Sequence, residues 1–326
     1  MRLATRHNGT PDGELVVVAA DGVRAALARD IAPTMQVALE RWHETASPLR
    51  ALADAIEAGT ATGLIALNPT ELAAPLPRAW QWLDGSAYLN HGDLMQKAFN
   101  LPPIETDRPL MYQGLSDRFL GPCDDVRLPS EDDGIDFEGE IGVIVDAVSM
   151  GISAADALGH IRLVIQINDW SLRTIAPIEM KTGFGWVQAK PACSAAPFAV
   201  TPDALGGSWH DGRLTATLET QVNGERFGAV DSGAEMAFGF HELVAHAART
   251  RDLVAGTIIG SGTVSASNYA EVGSSCLSER RAIDAIAGRP LTPFLRFGDR
   301  VRMEAKVNQG SPFGVIDQRV VAARTG

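Results

Sequence analysis

The stretch Asp136-Phe137-Glu138-Gly139-Glu140-Ile141-Gly142-Val143 decides how the chain is read. In a β-strand side chains alternate between two faces, so Asp136, Glu138 and Glu140 would share one face. Like charges crowded there repel, and either water or a cation must relieve them. On spacing alone the solvated edge of a sheet is the simpler account. Gly139 and Gly142 lean the other way, because glycine inside a strand often marks close approach of another backbone or a ligand.

Outward from this segment the pattern after residue 100 is mostly β. Residues 141–145 form a short apolar run behind the acids, and 161–167 form another that ends at Asn168-Asp169. Residues 214–222 alternate apolar with polar and stop at Asn223-Gly224, a hairpin signal. Residues 253–260 and 300–307 have strand character, the latter after the turn Gly298-Asp299, and 233–250 has helical spacing. On the N-terminal side, 16–20 reads as a short buried strand after Pro11-Asp12-Gly13. Residues 33–44 and 48–58 read as two helices. Asn68-Pro69-Thr70, followed by Pro75 and Pro77, makes a stiff connector. The expected organisation is a small N-terminal α/β domain over 1–75 and a larger, mainly β domain over 76–326, α+β overall. The excess of strands argues against a doubly wound nucleotide-binding fold. Gly260-Ser261-Gly262-Thr263 reproduces only part of G-x-G-x-x-G, with Ser265 where the last glycine belongs.

The chain has 326 residues, room for one large domain and a small one. With 45% hydrophobic and 21% charged residues it has the composition of a soluble globular protein. No apolar run approaches the roughly 18–20 residues that span a bilayer. Residues 1–13 lack the apolar core of a secretory signal, so the cytoplasm is the expected compartment and no membrane partner is expected. A net charge of −12 disfavours nucleic acid. It leaves room for an anionic substrate held by a local cationic pocket or a metal. Cys123, Cys193 and Cys276 form no C-x-x-C pair and suggest neither a disulfide frame nor a zinc knuckle. They are expected to be reduced and mostly buried.

Two further stretches bear on chemistry. Asn168-Asp169-Trp170-Ser171-Leu172-Arg173 puts an aspartate directly after an apolar strand, where sheets end and sites form; a turn or a helix cap explains it equally. Trp82-Leu83-Asp84-Gly85-Ser86-Ala87-Tyr88-Leu89-Asn90-His91 offers Asp84 and His91. Asp84 alone could cap the turn at Gly85, and a lone histidine is more often a satisfied, partly buried one.

Taken in order, these pieces resemble the fumarylacetoacetate hydrolase family. The resemblance rests on D-x-E-x-E at 136–140, N-D-W-S-x-R at 168–173 and S-G-T-V-S at 261–265. It rests also on Asp84 with His91 seven residues on, on Lys190 before Pro191, and on Gly273 ten residues after Thr263. It implies a catalytic domain that is a mixed β-sandwich roll, in a homodimer. It also implies one divalent ion, Mg²⁺ first and Ca²⁺ or Mn²⁺ otherwise, held by Asp84, Glu138, Glu140 and Asp169. Hard cations take oxygen ligands, and four carboxylates leave room for two oxygens of a chelating oxo-acid. The absence of cysteine and histidine from the set argues against zinc.

The same resemblance assigns roles. His91 matches the catalytic histidine, the base that activates water; histidine titrates near neutrality, which suits that work. Arg173 and Lys190 match cationic residues around the enolate left when a C–C bond breaks. Tyr112 and Thr263 match residues that hold the substrate carboxylate. The implied activity is hydrolysis of a C–C bond in a 1,3-diketo acid, fumarylacetoacetate-like or acylpyruvate-like, as in the breakdown of aromatic compounds. The pattern is departed from at Asn100, Ala176 and Ser194, where the family has arginine, glutamine and threonine. The glutamate that orients the histidine falls at Leu277, with Glu279 two positions on. The alternative within the family is a decarboxylase, hydratase or isomerase of 2-oxo acids on the same metal site. Outside it stand a noncatalytic metal-binding protein and a zinc peptidase. The latter's motif is H-E-x-x-x-H at His241, Glu242 and His246, one residue too long for two histidines on one helical face.

Overall fold

The computed structural model describes residues 1–99, 107–308 and 310–323. A long mixed sheet runs through the molecule. Its strand order is Leu64–Ala66, Arg24–Leu27, Glu14–Val18, Arg2–Arg6, Phe198–Val200, Ile161–Asn168, Gly139–Val145, Ile258–Gly260, Trp82–Gly85, Met111–Gln113. Ile258–Gly260 and Trp82–Gly85 pair in parallel. A second sheet, in the order Glu225–Asp231, Thr217–Val222, Arg300–Lys306, Ile316–Ala322, Val126–Leu128, covers one face of the first. The chain is α+β and mostly β, the mixed sandwich expected.

The central strand Gly139–Val145 is buried along its whole length because it serves two cores. Ile141, Val143 and Val145 meet Leu218, Val230, Val301 and Met303 of the second sheet. Ile144, on the other face, joins Ile165, Ile167, Trp82 and Ile258 in a core that the helices Met35–Glu40 and Trp42–Glu57 close. The N-terminal strands continue the same sheet, since Arg2–Arg6 pairs with Phe198–Val200 at the register Arg2↔Val200.

Several local expectations are corrected. Residues 136–140 are not one strand: Ile135–Asp136 pairs with Ser171–Leu172, and the long strand begins afresh at Gly139. The break follows from Asp136, whose carboxylate accepts the backbone N–H groups of Leu277 and Ser278 at the start of the helix Leu277–Ile286. Asp136 therefore caps a helix instead of sharing a face with Glu138 and Glu140. Gly139 and Gly142 do mark close approach, but to core side chains. A methyl group on them would lie 2.8 Å from Leu218 and 2.5 Å from Ile167. The two N-terminal helices divide at Arg41, and Pro48 lies inside the second. The helix expected over 233–250 is confined to Phe240–Ala247 with a short 3₁₀ turn after it, because Asp231 turns the chain at Gly233 and Ala234. Strand pairing in 253–260 is continuous only over Ile258–Gly260.

Cys193 and Cys276 are buried free thiols, while Cys123 is exposed. Among the described residues no helix is long and apolar enough to cross a membrane.

Candidate metal centre and active site

Register alone gathers the acids. Glu140 stands opposite Ile167, and Gly260 pairs on one side with Gly142 and on the other with Asp84. Cross-strand partners point to the same face, so Asp84 and Glu140 lie on one face of three neighbouring strands. Gly260 leaves the hollow between them: a methyl group there would lie 2.4 Å from Asp84 Oδ1 and 2.3 Å from the Trp82 indole. Asp169 follows the next strand, and its N–H donates to Glu138 O at 2.9 Å. Carboxylate oxygens of Asp84, Glu140 and Asp169 all lie within 4.8 Å of one another, and all three residues are buried.

The partners of these oxygens are unevenly shared. Asp169 Oδ2 accepts from Lys190 Nζ at 2.5 Å and from the Tyr112 hydroxyl at 2.6 Å. Its Oδ1 accepts from the Cys193 thiol at 2.9 Å. Asp84 Oδ1 accepts the N–H of Gly262 at 3.0 Å. Both oxygens of Glu140 are buried with no donor. The partner within its reach is the Asp84 carboxyl, and then only if one of the two carries a proton. Glu138, the fourth expected ligand, stands outside the trio. One oxygen takes Lys190 Nζ at 2.7 Å and the other takes the guanidinium of Arg173. Arg173 Nε in turn holds Asp136 at 2.8 Å.

The electrostatics follow from this count. Among the described residues, Glu138, Glu140, Asp84 and Asp169 are countered at close range by Lys190, and by Arg173, which Glu138 shares with Asp136. Burial, then the charge of neighbouring carboxylates, pushes Asp84 and Glu140 well above the usual carboxylate range. Burial also raises Asp169, although Lys190 opposes it. Burial would raise Glu138 too, but Arg173 and Lys190 outweigh it and hold that carboxyl low. Lys190 shows the converse: burial would strip its proton, and Asp169 and Glu138 keep it. A dry cluster with excess negative charge and two orphaned carboxylate oxygens fits a divalent cation bound by oxygen ligands. Asp84, Glu140 and Asp169 could hold it.

Beside the cluster lies a second assembly. His91 is on the helix Leu89–Phe99, and its Nδ1 is 3.8 Å from Oε1 of Glu279, a fully buried residue of the helix Leu277–Ile286. Nδ1 has no hydrogen-bond partner among the described residues. His91 is close enough to Glu138 that its charged form helps hold that carboxylate ionised. Thr263 is buried on the loop between Gly262, which donates to Asp84, and Val264, whose N–H donates to Gly139 O.

Two family models together span nearly the whole chain. Fumarylacetoacetate (FAA) hydrolase C-terminal matches residues 81–321, and Fumarylacetoacetase N-terminal domain 2 matches 1–78. The chain belongs to the fumarylacetoacetate hydrolase family. Its relatives include the 2,4-didehydro-3-deoxy-L-rhamnonate hydrolase of Sphingomonas sp. strain SKA58, 27% identical over 164 residues, 49% of this chain and 54% of that protein. A human mitochondrial oxaloacetate tautomerase, FAHD2A, is 27% identical over 190 residues, 55% of this chain and 54% of its own. The chain thus spans about half the length of these relatives. The crystal structure of maleylpyruvate hydrolase from Sphingobium sp. SYK-6, in complex with manganese(II) and pyruvate, superposes with a TM-score of 0.68. It does so at 18% identity over 99% of this chain and 100% of that one. The fold is that of the family.

Against this family background the departures acquire places. Asn100 lies outside the described residues. Ser194 accepts the Trp170 indole N–H at 2.9 Å, so it braces the residue after Asp169. Ala176 begins the short exposed helix Ala176–Thr182 and offers no polar group. Leu277 contributes only its N–H to Asp136, and it is Glu279 that faces His91. His241 and Glu242 sit on the helix Phe240–Ala247, where Glu242 receives the Gly239 N–H at 2.7 Å and Arg213 at 3.2 Å. Cys193 and Asn90 carried no functional signal in sequence, and Ser265 counted only as the last residue of S-G-T-V-S. Their contacts join residues far apart in the chain.

Proposed function

We propose that the chain is a divalent-metal-dependent hydrolase that cleaves a C–C bond in a 1,3-diketo acid of the fumarylacetoacetate or acylpyruvate type. The observation that carries this reading is the 3.8 Å approach of His91 Nδ1 to the buried Glu279 carboxylate, next to the acidic cluster. Hydrolysis needs a base for water, and a histidine oriented by a carboxylate supplies one. The other ring nitrogen, Nε2, takes the proton as the water oxygen adds to the acyl carbonyl carbon. The resulting oxyanion collapses and the C–C electron pair leaves onto the carbon next to the remaining carbonyl. That carbon takes the proton back from His91, giving R–CO–CH₂–CO–R′ + H₂O → R–COOH + CH₃–CO–R′.

Lys190 has three N–H donors, of which Glu138 and Asp169 use two; the third would serve the developing enolate oxygen. Arg173 keeps Glu138 ionised and the cluster charged. A divalent ion on Asp84, Glu140 and Asp169, with Glu138 as a further ligand if it releases a cation, would supply Lewis-acid polarisation of the substrate carbonyl. Mg²⁺ is the ion first in line, with Mn²⁺ or Ca²⁺ compatible with the same oxygens. Tyr112 and Thr263 are assigned to the substrate carboxylate on the family resemblance; the Tyr112 hydroxyl donates to Asp169 and would have to turn to reach it. The exposed side chains of Ile178, Met180, Phe184 and Val187 support a homodimer.

A second reading, conversion of a 2-oxo acid by tautomerisation or decarboxylation, is favoured by the tautomerase name of the human relative and by the lack of a polar group at Ala176. It uses Lys190 and the carboxylates without water activation. The discriminating experiment is turnover of a panel of 2,4-dioxo acids and 2-oxo acids with Mg²⁺, with Mn²⁺ and after chelation. Metal-dependent appearance of two fragments, one a new carboxylic acid, supports the hydrolase. Enol–keto exchange or carbon dioxide release with no cleavage of any dioxo acid overturns it.

A further inference from the structure

Ser265 lies in the loop between the strand Ile258–Gly260 and the short helix Tyr269–Val272, and the function proposed above makes no use of it. It is fully buried. Its hydroxyl donates to Glu279 Oε1 and accepts from Asn90 Nδ2 at 2.8 Å. Asn90 Nδ2 also donates to Ala266 O at 3.0 Å. A carbonyl can only accept, so the amide nitrogen must face this way. With its lone pair taken by Asn90, Ser265 has one proton to give, and that proton is committed to Glu279.

Asn90 immediately precedes His91 on one helix, and Glu279 lies on the other; the two helices pack together. Asn90, Ser265 and Glu279 therefore form a hydrogen-bonded chain that ends 3.8 Å from Nδ1 of His91, the backbone neighbour of Asn90. Oε2 of Glu279 has no hydrogen-bond partner among the described residues. Among the described residues Ser265 is thus the side-chain hydrogen-bond donor to this buried carboxylate, and without it the group is free to turn.

We infer that Ser265 is a positioning residue, whose hydroxyl, oriented by Asn90, fixes the Glu279 carboxylate opposite Nδ1 of His91. The catalytic consequence rests on the hydrolase reading; the consequence for the imidazole does not. Two measurements on the full-length, metal-loaded protein separate these. In the first, ring ¹H and ¹⁵N resonances of His91, assigned by their loss in His91→Gln, are compared in wild type, Glu279→Gln, Ser265→Ala and Asn90→Ala. Ser265→Ala is expected to move them in the same direction as Glu279→Gln, and Asn90→Ala by a smaller amount. Unchanged His91 resonances in Ser265→Ala overturn the inference. If that variant does not fold, unchanged resonances in Asn90→Ala do so.

In the second, Ser265→Ala is expected to lower kcat for dioxo-acid cleavage by about 10- to 100-fold with KM within about twofold. Combined with Glu279→Gln, it should lose no more than about a further twofold, because it acts through that carboxylate. Multiplicative losses, or a change confined to KM, count against the role. Failure of wild type to cleave any dioxo acid would sink the hydrolase reading alone and leave the resonance test standing.

Discussion

The Cys193 thiol lies 2.9 Å from Oδ1 of Asp169, so a residue with no metal role of its own holds one of the three clustered carboxylates. The opposite oxygen is held by Lys190 and Tyr112. Partners behind a ligand set its orientation and commonly account for 10–100-fold in metal affinity. Cys193→Ala should weaken Mn²⁺ binding by about tenfold in calorimetry with little change in the fold. Unaltered affinity would mean that Lys190 and Tyr112 suffice.

The unpartnered oxygens of Glu140 make it the most exacting test of the cation site. Glu140→Gln and Asp84→Asn should each lower affinity for Mg²⁺ or Mn²⁺ by at least about 100-fold, more than a supporting residue would. In the metal-free protein at alkaline pH Glu140→Gln should raise the melting temperature, because it removes an acid whose ionisation is opposed by burial and by its carboxylate neighbours. A Glu140→Gln protein that binds metal normally would place the ion elsewhere.

Metal removal should also reverse the usual effect of pH. Asp84 and Glu140 titrate well above their ordinary values in the folded, metal-free chain, whereas in the unfolded chain they ionise near about 4. Between those limits the unfolded state binds fewer protons, so stability is lost as pH rises. Glu138 is shifted the opposite way, and its contribution changes only at more acid pH. The melting temperature of chelated protein should therefore fall as pH rises above about 5, and the gain on adding metal should grow in the same direction. A chelated protein that becomes steadily more stable across that range would contradict the clustering.

Gly260 has no room for a side chain because Asp84 and Trp82 occupy the space. Gly260→Ala should cost about 1–3 kcal/mol in denaturant unfolding, as an overpacked core does, and should weaken metal binding by displacing Asp84. A stable variant with intact affinity would show that the hollow can relax.

His91→Ala should leave metal affinity within a few-fold and reduce C–C cleavage by about 10²- to 10⁴-fold. Exchange of the C3 protons of a 2-oxo acid, followed by NMR in D₂O, should survive, since Lys190 and the carboxylates remain. Equal loss of both activities would favour a tautomerase in which His91 moves the proton on carbon.

Much of this protein is settled by local sequence. The apolar run at 161–167, the alternation into Asn223-Gly224 and the strands flanking the acids follow from side-chain period and turn chemistry, which act over a few residues. The succession of short motifs pointed to the family and named Asp84, Glu140 and Asp169 before any contact was visible. Register decided the rest. Glu140 meets Asp84 because Gly260 pairs with both Gly142 and Asp84, a relation between three distant segments. Asp136 left the acidic face because a helix start more than a hundred residues later needed its carboxylate. Cys193 was silent in sequence, and Ser265 was visible only as a motif letter without a role, for the same reason. A thiol or hydroxyl acquires a role only from the carboxylate it meets, and that meeting is made by the tertiary fold.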